Sequence, residues 1–105
     1  MSGNPLPERI IEGSPRFTTW KLEENTARKS AAGVWEATPG AYVSMKGDTW
    51  EFCSIVSGVS ELTEDGQPTV RLQPGSNFIM RPGFKGVWRV IETTRKLWVT
   101  IEAPV

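Results

Sequence analysis

Turn-forming residues recur along this chain so often that only short segments fit between them. Thr38-Pro39-Gly40, Lys46-Gly47-Asp48, Glu64-Asp65-Gly66, Pro74-Gly75-Ser76 and Pro82-Gly83 punctuate the sequence. The segments they bound are Phe17–Leu22, Val34–Glu36, Ala41–Met45, Glu51–Ser57, Val59–Thr63, Thr69–Leu72, Asn77–Arg81, Val87–Glu92 and Leu97–Glu102. Each is rich in Val, Ile, Thr, Phe or Trp and too short for an ordinary helix. Short β-prone runs between regularly spaced turns indicate an all-β sandwich or barrel. Glu23–Ala32 is the one stretch with helix-forming composition. It has no apolar face beyond its alanines, so a charged loop joining two strands is expected there.

The 105 residues suffice for one domain with one core. Pro5, Pro7, Pro15, Gly3 and Gly13 crowd the first 15 residues, which read as an N-terminal arm ahead of a domain over 16–105. Ile10 and Ile11 are suited to pin that arm to the body or to a partner subunit. No basic and apolar leader opens the sequence, and no stretch approaches the ~20 apolar residues of a membrane span. The single cysteine, Cys53, allows no internal disulfide and fits a reducing compartment. A soluble cytoplasmic protein with no membrane partner is therefore expected.

Twelve basic residues balance twelve acidic ones, which argues against a nucleic-acid partner. The balance is uneven along the chain. Residues 1–65 hold six basic and ten acidic residues, and residues 66–105 hold six basic and two acidic. The two halves are expected to pair their charges, or else to frame a site for an anion. There is no histidine, so the commonest transition-metal ligand is missing.

Several stretches in order carry a family resemblance. They are Gly33-Val34-Trp35-Glu36-Ala37-Thr38-Pro39-Gly40, Trp50 to Gly58, Glu64-Asp65-Gly66, Pro74-Gly75, Arg81 to Trp88 and Glu92 to Lys96. Together they resemble a small cupin, and more narrowly the ureidoglycine-aminohydrolase type. The resemblance implies a cupin (jelly-roll) β-barrel. It also implies a first motif closing on a glutamate, six residues and a glycine, which Glu51 and Gly58 match. The two histidines that should precede that glutamate fall at Met45 and Gly47, or at Ser44 and Lys46. In the second motif Gly75 and Gly83 keep their places, Arg81 stands for the proline, Gly86 for the histidine and Val90 for the asparagine. Ser54 stands where many short relatives carry a histidine. Only Glu51 remains of the metal chemistry, so no metal and no other cofactor is expected. The three glycines are expected to supply positive φ at tight turns.

Candidate ligand-pocket residues are Glu51, Cys53, Arg81, Trp88, Val90 and Met45. Glu51 sits between Trp50 and Phe52; burial there would raise its pKa and suit it to acid–base work as a neutral group, or else it is a buried carboxylate paired with a Lys or Arg for structural reasons. It is the weak candidate for a catalytic residue. Cys53 shares its strand face and, with no base nearby, reads as an inert core thiol. Trp88 is placed inward with Val90, to line a pocket or fill the barrel. Arg81 is placed at the barrel mouth, suited to a carboxylate or to Glu51. Lys96 is expected to pair with Glu92 across a turn.

These readings favour a metal-free barrel that binds a small polar or anionic metabolite. The resemblance implies one alternative, an amidohydrolase acting on ureidoglycine-like amides; a structural or assembly subunit, with the barrel as scaffold, is another. The resemblance also implies a homodimer, in which the Ile10-Ile11 arm is suited to cover a sheet edge.

Overall fold

The computed structural model describes residues 1–102; the last three residues of the domain expected over 16–105 lie outside it. Nine strands follow one another: β1 (Ser2–Gly3), β2 (Ile10–Gly13), β3 (Phe17–Asn25), β4 (Ser30–Ala37), β5 (Gly40–Met45), β6 (Thr49–Glu64), β7 (Val70–Leu72), β8 (Asn77–Met80) and β9 (Lys85–Glu102). Pro7–Arg9 form a single 3₁₀ turn, which is the only helix among the described residues. None of their helices is long and apolar enough to cross a membrane.

The long antiparallel pair β6 and β9 runs through the whole molecule. One half of it continues through β4 and β3 to β1 on one side and to β8 on the other. The other half continues through β5 to β2 and, opposite, to β7. The sheet thus folds over on itself, and its two halves enclose the core as a jelly-roll barrel. That core holds Trp35, Cys53, Ile55, Leu62, Leu72, Met80, Trp88 and Val90.

All five expected turns separate strands, but two expected breaks do not exist. Val87–Glu92 and Leu97–Glu102 are one continuous strand, and Glu51–Ser57 runs on into Val59–Thr63. Gly58 does not make a tight turn. It lies at a bulge within β6, with φ of +87°, opposite Thr93 and Thr94 of β9. A Cβ there would run into the Thr93 carbonyl, so only glycine fits. Beside the bulge, the Ser60 hydroxyl donates to Thr94 Oγ1 at 2.7 Å, and Thr94 donates to the Glu92 carbonyl at 2.8 Å. These bonds satisfy buried polar groups where the ladder is interrupted.

Glu23–Ala32 is not a loop. Glu23–Asn25 complete β3, Ser30–Ala32 open β4, and Thr26–Lys29 form the turn. β3 is covered on its outer side only by the two residues of β1, so its charged residues lie in solvent and need no alternation. The arm joins its own barrel at both ends: β1 pairs with β3, and Ile10 of β2 sits opposite Tyr42 of β5. The unevenly distributed charges meet across the fold. Arg89 pairs with Glu12, Arg95 with Glu36 and Lys96 with Glu51.

Candidate functional site

Alternation along β6 turns Glu51, Cys53 and Ile55 inward, and alternation along β9 does the same for Trp88, Val90, Lys96 and Trp98. Register then sets Glu51 opposite Thr100 on one side and Met80 on the other. The Glu51 carboxylate reaches Lys96, two residues on from the inward-facing Thr94, and Lys46, the first residue of the turn between β5 and β6.

The result is a buried cluster of two cations around one anion. Lys46 Nζ donates to Glu51 Oε1 at 2.6 Å, and Lys96 Nζ donates to Oε2 at 2.8 Å. The Cys53 thiol also donates to Oε2, at 3.0 Å. The side chains of Glu51 and Lys96 are only 6% and 7% exposed, while that of Lys46 is 18% exposed. Two indoles complete the setting of Lys96: its Nζ lies 4.7 Å from the ring centroids of both Trp35 and Trp88, cation–π geometry on two faces.

The electrostatics follow the ion-paired alternative for Glu51 and contradict the neutral one. Burial alone would push its carboxyl up, but the ammonium groups of Lys96 and Lys46 outweigh burial and hold it at about 2. Glu51 is therefore ionised, not neutral. Lys96 follows the same logic: burial pulls it down, the Glu51 carboxylate outweighs this, and its pKa ends above the ordinary lysine value. Cys53 is pushed up to about 12, mainly by burial, so it stays a thiol. Burial, with Glu51 adding to it, raises Tyr42 well above the ordinary phenol.

This cluster forms part of the wall of a cavity of about 620 Å³. Phe17, Trp35, Tyr42 and Trp98 give it aromatic walls, and Phe17 packs against Trp35 and Tyr42 with ring centroids 5.2 and 4.9 Å apart. The size falls within the range of small-molecule sites.

Of the expected pocket residues, Glu51 and Met45 line this cavity. Cys53 lies behind Glu51, fully buried. Trp88 and Val90 do turn inward, but they fill the core, and Trp88 meets the site through Lys96 and through Trp35, its ring centroid 5.3 Å away. The Trp88 indole N–H is buried without a partner. Arg81 does not reach the site: it is exposed at the β8–β9 turn, outside the cavity lining. Lys96 pairs with Glu51 rather than Glu92, because both lie in one continuous strand, where Lys96 is buried and Glu92 is exposed. Sequence reasoning missed Lys46, Lys96 and Tyr42 as site residues. Lys46 had a signal, since it occupies one of the vacated histidine places; Lys96 fell in an expected break that the continuous β9 does not have.

The residues around Glu51 do not fit a metal ion. Among the described residues no three His, Cys, Asp or Glu side chains come together. Both Glu51 oxygens already accept from ammonium groups, and a divalent cation there would face two like charges at hydrogen-bond range.

Comparison with known proteins agrees with this architecture. A protein of unknown function from Pseudomonas syringae pv. tomato superposes with a TM-score of 0.84 at 22% identity, over 93% of this chain and 42% of that one. The EutQ protein of Clostridium difficile gives 0.72 at 19% identity, over 85% of this chain and 64% of that one. The Cnp3 cupin domain of Schizosaccharomyces pombe gives 0.68 at 21%, over 90% and 69%. This chain thus spans less than half of the first and just under two-thirds of the second. No curated protein matches it in sequence. A family model described as the EutQ-like cupin domain matches residues 18–98, well over half of the sequence, and the chain therefore belongs to the EutQ-like cupin family.

Proposed function

We propose that this chain is a metal-free cupin barrel that binds a small polar or anionic metabolite in the cavity beside Glu51. One observation carries the reading: in the wall of a cavity of about 620 Å³, two ammonium groups share a single carboxylate. The cluster keeps one positive charge in excess, and an uncompensated charge in a partly dry site favours an anionic guest. The two lysines also give Glu51 the cationic partners that a metal gives the corresponding glutamate in metal-binding cupins.

The amidohydrolase reading implied by the ureidoglycine-type resemblance draws no support from this geometry. A carboxylate held at about 2 has no proton to give at neutral pH and is a weak base. A thiol at about 12 is no nucleophile.

We also propose that two copies pair through the outer face of β3, β4, β9 and β6. Trp20, Val34 and Leu97 lie in one row across that face, and Val99, Phe52, Ile101 and Trp50 continue it. Trp20, Leu97, Val99 and Ile101 are exposed large apolar side chains. A solvent-facing antiparallel sheet normally alternates apolar and polar, and an apolar outer face of this extent is typical of an interface.

The binding reading is tested by a thermal-shift screen against small metabolites, with elemental analysis of the purified protein. The expected result is stabilisation by one class of small molecule and no stoichiometric metal. Absence of any stabilising metabolite overturns the cavity reading. Near one chelator-resistant Mn, Fe, Ni or Zn per chain overturns the metal-free reading.

A further inference from the structure

Resting on that cavity reading, we propose that the guest is a planar organic monoanion, a carboxylate on an aromatic or conjugated body, and that its carboxylate bonds the ammonium of Lys46. Charge defines the first part. The inner cluster of Lys46, Lys96 and Glu51 sums to one positive charge, and Tyr42 and Cys53 beside it stay neutral at physiological pH. Farther out, the lining adds Arg9, Lys21 and Lys29 against Glu24 and Glu102, again one positive charge in excess. Of these, Lys21 and Glu24 pair with each other at 3.3 Å, and Glu102 accepts from the Thr49 hydroxyl at 3.0 Å. The inner excess matches a single negative charge on the guest.

Geometry decides which lysine receives it. The Lys96 ammonium is enclosed: one carboxylate oxygen at 2.8 Å and an indole face on each of two sides. The Lys46 ammonium has three N–H donors and uses one, on Glu51 Oε1. It is also the more exposed of the two lysines, so a guest in the cavity reaches it without displacing a ring.

The walls define the body of the guest. Phe17, Trp35, Tyr42 and Trp98 present ring surface to the same cavity that Lys46 lines. Ring walls favour flat π-systems over branched aliphatic ones, and the cavity has room for one or two rings.

The test uses benzoate as probe and benzamide as its neutral counterpart of the same shape, with acetate as the carboxylate lacking a ring. Binding is read by tryptophan fluorescence, since Trp35 and Trp98 line the cavity. Benzoate is expected to bind at least about tenfold more tightly than either benzamide or acetate, the scale of one charge-assisted hydrogen bond. Lys46→Met, which leaves Glu51 paired one-to-one with Lys96, should abolish the preference for benzoate over benzamide, and Lys46→Arg should keep it. Circular dichroism confirms that each variant is folded. Equal binding of benzoate and benzamide to the parent, or a preference that survives Lys46→Met, overturns the charge assignment. Equal binding of benzoate and acetate overturns the planar body. If the metabolite screen instead returns a neutral guest, this proposal fails while the cavity reading stands; if it returns none, the cavity reading fails first.

Discussion

Glu51→Gln removes the single anion of a buried three-charge cluster and leaves its two cations in place. Glutamine offers one acceptor oxygen where Glu51 now uses two, on Lys46 at 2.6 Å and on Lys96 and Cys53 at 2.8 and 3.0 Å. One ammonium would then face an NH₂ donor. Lys46, partly exposed, can turn to water; Lys96, 7% exposed between Trp35 and Trp88, cannot. Removing one partner of a buried pair costs about 3–5 kcal/mol. A second route agrees: holding a carboxyl at about 2 rather than 4.5 corresponds to about 3 kcal/mol of folded-state preference for the ionised form. The expected loss is therefore about 3 kcal/mol at pH 7, or a fall in Tm of roughly 15 °C for a domain of this size. The sign with pH follows from a depressed carboxyl. Its contribution is complete above the unfolded value near 4.5 and is lost as the pH falls towards about 2. Urea melts of the parent and Glu51→Gln should thus differ by the full amount from pH 5 to pH 8 and converge below pH 4. A variant within about 0.5 kcal/mol of the parent at pH 7, the scatter of ordinary surface changes, would refute the clamped-carboxylate reasoning and return Glu51 to a neutral group.

Other consequences can be checked separately. Gly58→Ala puts a Cβ against the Thr93 carbonyl at a φ of +87° and should cost at least about 2 kcal/mol, read by denaturant melting; a neutral effect would remove the bulge from the account. Cys53, with its thiol at about 12 and fully buried, should resist iodoacetamide at pH 8 in the native protein and react fully in urea, as mass spectrometry will show. Sedimentation at micromolar concentration should give a dimer, and Leu97→Glu on the outer face should give a folded monomer; a parent already monomeric would contradict the proposed pairing.

The barrel was legible in the sequence because its turns are written in local chemistry. Pro74-Gly75 and Pro82-Gly83 fix turns whatever surrounds them, and alternation then assigns Cys53, Trp88 and Val90 to the core. The long strands were not legible. The glycine at Gly58 signals positive φ equally well at a turn and at a bulge, and only the pairing of β6 with β9 decides between them. The charge state of Glu51 failed for a related reason. Its neighbours Trp50 and Phe52 suggest an apolar setting, but they point to the opposite face of the strand. The groups that lower its pKa are Lys96, in a strand 45 residues away, and Lys46, in the turn before β6. Lys96 was read into a turn between two strands, so neither its inward direction along a continuous β9 nor the register that brings it to Glu51 was legible. Arg81 was placed by motif position, yet it sits in a turn, where no strand alternation fixes its direction.

An ionised Glu51 clamped between two ammonium groups is the centre of this site, and the titration of that one carboxyl measures the clamp directly. With ¹³C-labelled glutamate, the Glu51 Cδ resonance is assigned by its loss in Glu51→Gln and followed from pH 8 downwards for as long as the protein stays folded. A clamped Glu51 shows no change through the ordinary carboxyl range and a midpoint near 2, or the protein unfolds before the midpoint is reached. A Glu51 midpoint above 4.5 in the folded protein would contradict the clamp.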